Sequence, residues 1–176
     1  TQSRSSAASD VYKRQIIQSF APIAAPDAET LILGSMPGIA SLEANQYYAH
    51  PRNAFWRIMG QLFGAGIETP YAERQEILLA RRVAVWDVLQ FCQRYGSLDS
   101  NIKDEVPNDF ARFFAAHPHI RRIGLNGGKA AKSFDKHASL YLPRGAASVA
   151  LPSTSPAHAS KTFEQKCAEW RAALID

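Results

Sequence analysis

The segment GSMPGIASLEANQYYAHPRNAFW, positions 34–56, gathers groups that suit a flat, polar ligand. Tyr47, Tyr48 and Phe55 offer planar faces on which a base can stack. His50 and Arg52 can meet a phosphate, and Asn53 donates and accepts hydrogen bonds at once. Gly34 and Gly38 allow backbone to approach a ligand closely. No GKS or GKT follows, so this is not a nucleotide-phosphate loop, and GxGxxG is absent. A second segment, LPSTSPAHAS at 151–160, is rich in hydroxyls, prolines and small residues. It suits either phosphate contact or an ordinary turn between a strand and a helix.

Both segments follow short apolar runs. Four such runs, at 30–33, 83–88, 120–125 and 147–151, have the length and composition of buried strands. Helical spacing fills the intervals at 54–66, 71–82, 108–117, 128–137 and 160–174, with Ser160 as the expected N-cap of the last. Strands alternating with helices imply an α/β fold with a parallel sheet covered on both faces. Ligands then bind beyond the carboxyl ends of the strands. Both segments leave strands at that edge, so they are expected to share one site.

The chain has 176 residues, 46% of them hydrophobic, enough for one domain with a real core. No apolar run approaches the roughly 18 residues of a membrane span. Cys92 and Cys167 are far apart and form no CxxC. That excludes a metal site built on clustered cysteines and fits two buried thiols in a reducing cytoplasm. The formal charge is +4, which permits a nucleic-acid partner without demanding one. Half of that excess comes from Arg4, Lys13 and Arg14 against Asp10. Residues 1–14 are expected to be non-native or disordered, since SSAASDVYKRQ has no apolar signal region and resembles a translated sequencing adapter. Residues 15–176 are expected to form a single domain.

Four segments in this order carry a resemblance: GSMPG after an apolar strand, YYAHPRNAFW, VWDVLQFCQRYGSLDSNI and LPSTSPAHAS. They resemble the uracil-DNA glycosylase superfamily, over about residues 28–175. The nearest branch is the hypoxanthine-DNA (deoxyinosine) glycosylases, close to the mismatch-specific uracil/thymine-DNA glycosylases. The resemblance implies a three-layer α/β/α sandwich around a four-stranded parallel sheet. It implies a monomeric, monofunctional hydrolase acting on N-glycosyl bonds in base excision repair. Its partner would be DNA containing deaminated bases, with no metal and no cofactor.

The resemblance also assigns roles. Most of the superfamily has Asp or Asn where Met36 stands, and a thioether cannot activate water. The hypoxanthine branch shares that departure, which moves the water to Asn53, with His50 as the alternative helper. Asn53 equally suits a cap for the helix that follows. Phe55 matches the aromatic on which the flipped base stacks, with Tyr48 as a second wall. Gly34, Ser35, Met36, Pro37 and Gly38 form the pocket loop, and the backbone N–H groups of Ser35 and Met36 face a base carbonyl. Asp87 stands where uracil enzymes place a base-reading Asn, and its carboxylate would accept from the N1–H of hypoxanthine. Ser153, Thr154 and Ser155 are assigned to backbone phosphates. Pro156, Ala157 and His158 are assigned to the wedge, with His158 replacing the bulk that Ala157 lacks. Lys129 and Lys132 are phosphate candidates or parts of a solvated helix face.

Three rivals remain. A mismatch-specific uracil/thymine-DNA glycosylase shares the fold, and Met36 argues against it. A catalytically silent damaged-DNA binder is favoured by Met36 and opposed by Asn53. A small-molecule hydrolase built on Ser35 or Ser153 lacks a GxSxG elbow. A lyase would need a lysine, and neither motif loop has one.

Overall fold

The computed structural model describes residues 16–176, so the expectation for residues 1–14 lies outside the described residues. The elements run β1 (Ile16–Gln18), β2 (Thr30–Gly34), α1 (Ile39–Ala44), α2 (Phe55–Phe63), α3 (Tyr71–Ala80), β3 (Val83–Asp87), β4 (Leu89–Gln93), β5 (Lys103–Pro107), α4 (Phe110–Ala116), β6 (Arg122–Asn126), α5 (Gly128–His137), β7 (Ala147–Leu151) and α6 (Phe163–Leu174).

The main sheet is parallel, in the order β3-β2-β6-β7. Each residue of β2 and β3 is buried. Alternate side chains of β2 enter different cores. Leu31 and Leu33 join Phe110, Phe113 and Phe134 of α4 and α5, while Ile32 joins Phe55, Ile58 and Leu78 of α2 and α3 and Trp170 of α6. Helices therefore cover both faces, which gives the expected three layers. Each fully buried Leu, Ile or Phe contributes about 1.5–3 kcal/mol.

The four expected strands are present, but a second sheet was not legible. β1, β4 and β5 form an antiparallel sheet in the order β1-β4-β5. β5 reads KDEVP and is mostly exposed, a charged edge strand ending in proline, so it carries no apolar signal. β7 also departs from expectation: it is an edge strand with only Leu151 buried, whereas β3, the other edge, is bridged by Ile23 and buried throughout. The last helix begins at Phe163, not Ser160. Thr162 accepts from Gln165 N while the Gln165 side chain accepts from Thr162 N, and this capping box sets the start. α2 ends at Gly64, whose φ of 83° closes the last turn.

Register fixes the edge on which chemistry can occur. Gly34 pairs with Asp87, Leu33 with Leu125, and Asn126 with Leu151. Gly34, Asp87 and Asn126 thus stand at the carboxyl ends of adjacent strands. The strand order reverses between β2 and β6, the switch point at which such sheets bind ligands.

Candidate active site

A cavity of about 480 Å³ opens at this edge, within the range of about 300–1,000 Å³ typical of small-ligand sites. Of the residues assigned above, Gly34 through Gly38, Tyr48, His50, Asn53, Asp87 and Ser153 through His158 all line it. Phe55 does not.

The floor is tightly packed. A Cβ on Gly34 would stand 2.7 Å from Asp87 Oδ1 and 2.8 Å from the Tyr48 hydroxyl, so both side chains converge where Gly34 leaves room. Asp87 is 3% exposed, and among the described residues its Oδ2 has no hydrogen-bond partner. Burial raises its carboxyl to about 7, Asp99 adds to the rise, and Arg94 opposes it. The Tyr48 hydroxyl is buried as well, near the Asn126 side chain, and among the described residues it makes no hydrogen bond of good geometry. Burial, then the charge of Asp87, pushes that phenol upward, so it stays protonated.

The stacking expectation for Phe55 needs correction. Phe55 is fully buried in the α2 core, and Tyr48 covers it, with ring centroids 3.9 Å apart and planes 23° apart. The face offered to the cavity is therefore that of Tyr48. Its backbone adopts φ 54°, uncommon for a bulky residue, which is how the chain turns the ring onto Phe55.

Asn53 makes the helix contact expected of it. Its Oδ1 accepts from Phe55 N at 3.0 Å, anchoring the first turn of α2. That backbone donor also fixes which end of the carboxamide is oxygen. The second lone pair of Oδ1 and the Nδ2 donors remain for a water. His50 is arranged differently from a general base. Its Nδ1 accepts from Arg52 N at 3.1 Å, which leaves the proton on Nε2, so the ring presents a donor.

The 151–160 loop is held by its own hydroxyls. Ser153 Oγ accepts from Ser155 N and Ser155 Oγ accepts from Ala157 N, both at 3.2 Å. Their hydroxyl protons remain to donate outward. Thr154 departs from its phosphate assignment. It is 1% exposed, and its Oγ1 accepts from Asn126 Nδ2 while its N–H donates to Asn126 Oδ1, both at 3.0 Å. Ala54 N donates to Thr154 O at 3.0 Å, which joins the two motif loops. Neither Lys129 nor Lys132 lines the cavity: Lys129 is paired with Glu105, and Lys132 is exposed on α5.

Sequence reasoning missed Asn126 and a third wall. Asn126 ends β6 just before a Gly-Gly pair, the same edge position that Asp87 holds on β3, and that parity was the available signal. The third wall is the turn at 97–100, of which Asp99 accepts from Ser35 Oγ at 2.7 Å. Buried Arg94 ties it to the first loop, donating from Nη2 to Pro37 O at 2.5 Å and from Nε to Gly96 O at 2.7 Å.

Comparison with known proteins identifies the family. The family described as "Uracil DNA glycosylase superfamily" matches residues 21–176. A hypoxanthine DNA glycosylase of Methanosarcina acetivorans is 34% identical over 158 residues, covering 89% of this chain and 97% of the relative. Another, from Methanosarcina barkeri, is 38% identical over 113 residues, covering 64% of this chain and 72% of the relative. The solution NMR structure of a Methanosarcina acetivorans protein, provisionally described as a uracil DNA glycosylase, superposes with a TM-score of 0.76. It is 34% identical and covers 90% of this chain and 96% of its own. The chain belongs to the uracil DNA glycosylase superfamily.

Proposed function

We propose that the protein is a monofunctional DNA glycosylase that takes a deaminated base, hypoxanthine above all, out of the DNA stack and hydrolyses its N-glycosidic bond. The observation that carries this reading is the convergence of Asp87, Tyr48 and Asn53 in one cavity at the sheet edge. The base stacks on Tyr48. Ionised Asp87 accepts from the N1–H that hypoxanthine offers, and the backbone of Ser35 and Met36 faces the base carbonyl. Asn53, oriented by Phe55 N, holds the attacking water.

Asn53 is a poor proton acceptor, and His50 presents a donor. Such a site suits an oxocarbenium-like transition state, in which the C1′–N9 bond breaks ahead of water attack. Positioning the water and stabilising the leaving base then matter more than nucleophile strength. Among the described residues no lysine lines the cavity, which supports hydrolysis over a lyase reaction. A single chain supplies all these groups, which supports action as a monomer. The unpaired cysteines support a reducing cytoplasm as its compartment. Among the described residues no helix is long and apolar enough to cross a membrane.

The test is base release from duplexes carrying one deoxyinosine or one deoxyuridine, read as alkali-sensitive strand breaks. Release at deoxyinosine, with little at deoxyuridine, is the expected result. Preference for deoxyuridine would replace this reading with a mismatch-specific uracil/thymine enzyme. DNA binding without release at either would make the protein a silent damage binder.

A further inference from the structure

The wedge assigned to the 151–160 loop is short. Pro156 and Ala157 are exposed at the mouth, but Ala157 carries only a methyl group. His158 Nε2 lies 3.3 Å from Ser160 Oγ, and its carbonyl accepts from Lys166 Nζ at 2.7 Å. A flipped nucleotide leaves a gap in the stack, and proteins that unstack DNA fill such gaps with apolar side chains.

Another lip of the same cavity supplies one. Leu98 is 54% exposed and Ile39 is 46% exposed, and both line the cavity. An exposed leucine is ordinary in itself. This one sits on a turn fastened on several sides. Arg94 holds Gly96 O, Ile39 N donates to Ser97 Oγ at 2.8 Å, Ser35 Oγ donates to Asp99, and Asn101 Nδ2 donates to Tyr95 O at 3.0 Å. The turn is therefore ordered before DNA arrives, and inserting its side chain costs little further entropy. Asp99 follows Leu98 directly, so this lip repels phosphates and suits the interior of the stack. The phosphate-facing hydroxyls belong to the 151–160 loop.

We infer that Leu98, supported by Ile39, enters the DNA stack from this lip and fills the gap while the base occupies the cavity. The inference rests on the glycosylase reading above. Its test is single-turnover release of hypoxanthine from two substrates, a fully paired duplex and one whose lesion sits in a short mismatched bubble, where the base is already unstacked. A 2-aminopurine beside the lesion reports unstacking by its fluorescence.

Leu98→Ala is expected to slow release from the duplex about ten-fold or more, to slow release from the bubble several-fold less, and to weaken the fluorescence rise. Leu98→Met should restore both. Equal slowing on the two substrates would mark a merely structural role and overturn the inference. So would full duplex activity in Leu98→Ala, or a His158→Ala variant that alone reproduces the selective loss. Wild-type activity on deoxyinosine reads the glycosylase function separately. If that is absent on both substrates, the function fails and this inference with it; if it is present and the Leu98→Ala ratio is unchanged, only this inference fails.

Discussion

Gly34 and Asp87 are register partners on adjacent parallel strands, and the missing side chain of the first makes room for the carboxyl of the second. A methyl group at Gly34 would stand 2.7 Å from Asp87 Oδ1 and 2.8 Å from the Tyr48 hydroxyl. Gly34→Ala should therefore displace both groups at once. Overpacking of this kind costs about 1–3 kcal/mol. The expected result is a lower melting temperature together with a loss of base release larger than the loss of stability explains. A variant that releases base at the wild-type rate would show that the convergence is not needed.

Asn53 can be tested for its two tasks separately. Asn53→Ala removes both the acceptor for Phe55 N and the holder of water. It should cost about 1 kcal/mol of stability, as lost helix-end acceptors do, and should abolish base release while DNA binding survives. Asn53→Asp keeps the acceptor and should restore the stability. If Asn53→Ala loses stability but keeps its release rate, the residue serves the helix alone.

Asp87 makes the protein pH-sensitive in a window that can be stated. Its carboxyl lies at about 7 rather than the ordinary 3.8, chiefly through burial. Between those values the folded protein keeps a proton that the unfolded chain has released. Stability should fall as pH rises through this window and level off above it, with a slope approaching about 1.4 kcal/mol per pH unit from this group. Base reading should move the other way, because only the ionised carboxylate accepts from N1–H. The kcat/KM for deoxyinosine is expected to rise through about pH 7 with a single proton, and Asp87→Asn should flatten both profiles. A limb that persists in Asp87→Asn would belong to another group.

The sheet and its loaded edge were legible because buried parallel strands are nearly continuous apolar runs. VAVWD could hardly be anything else, and Asp at its end stands out against the run. What was hidden lacks such contrast. β5 opens with three charged residues, and α1 is six residues inside a stretch rich in turn formers. The order of the two stacked rings was also hidden. Phe55 lies on the apolar stripe of α2, where burial is the ordinary outcome, whereas the left-handed backbone at Tyr48 that lays one ring on the other leaves no mark on spacing. Thr154 looked like its neighbours Ser153 and Ser155, and only the distant Asn126 decides that its hydroxyl faces inward.

The Tyr48 hydroxyl and ring can be separated by substitution. Tyr48→Phe removes a buried hydroxyl that, among the described residues, makes no hydrogen bond of good geometry, so it should leave stability unchanged or raise it by up to about 1 kcal/mol. Base release should survive, because the stacking face is kept. Tyr48→Ala should weaken binding to damaged DNA by about 1–3 kcal/mol, the range measured for single base–aromatic stacks. If both variants bind damaged DNA equally well, the base stacks elsewhere, and displacement of Tyr48 from the face of Phe55 becomes the arrangement to test.

Arg94 closes the site from behind and should be the least tolerant of its supporting residues. The residue is 2% exposed, its guanidinium reaches the carbonyls of both Pro37 and Gly96, and among the described residues one nitrogen, Nη1, has no partner. Burial lowers its affinity for the proton, but an arginine remains charged, and its field restrains the rise of Asp87. Lysine has a single nitrogen and cannot bridge both carbonyls in this way. Arg94→Lys is expected to loosen the first loop and the 97–100 turn together, costing about 2–4 kcal/mol as buried charged hydrogen bonds are lost. The damage should reach the pocket itself, so release should fall alike from paired and bubble substrates, in contrast to the selective loss expected at Leu98. With less positive charge fixed nearby, the Asp87 limb should also move to higher pH. A stable Arg94→Lys variant with both rates and the pH limb unchanged would mean that the two walls hold their places without this clamp.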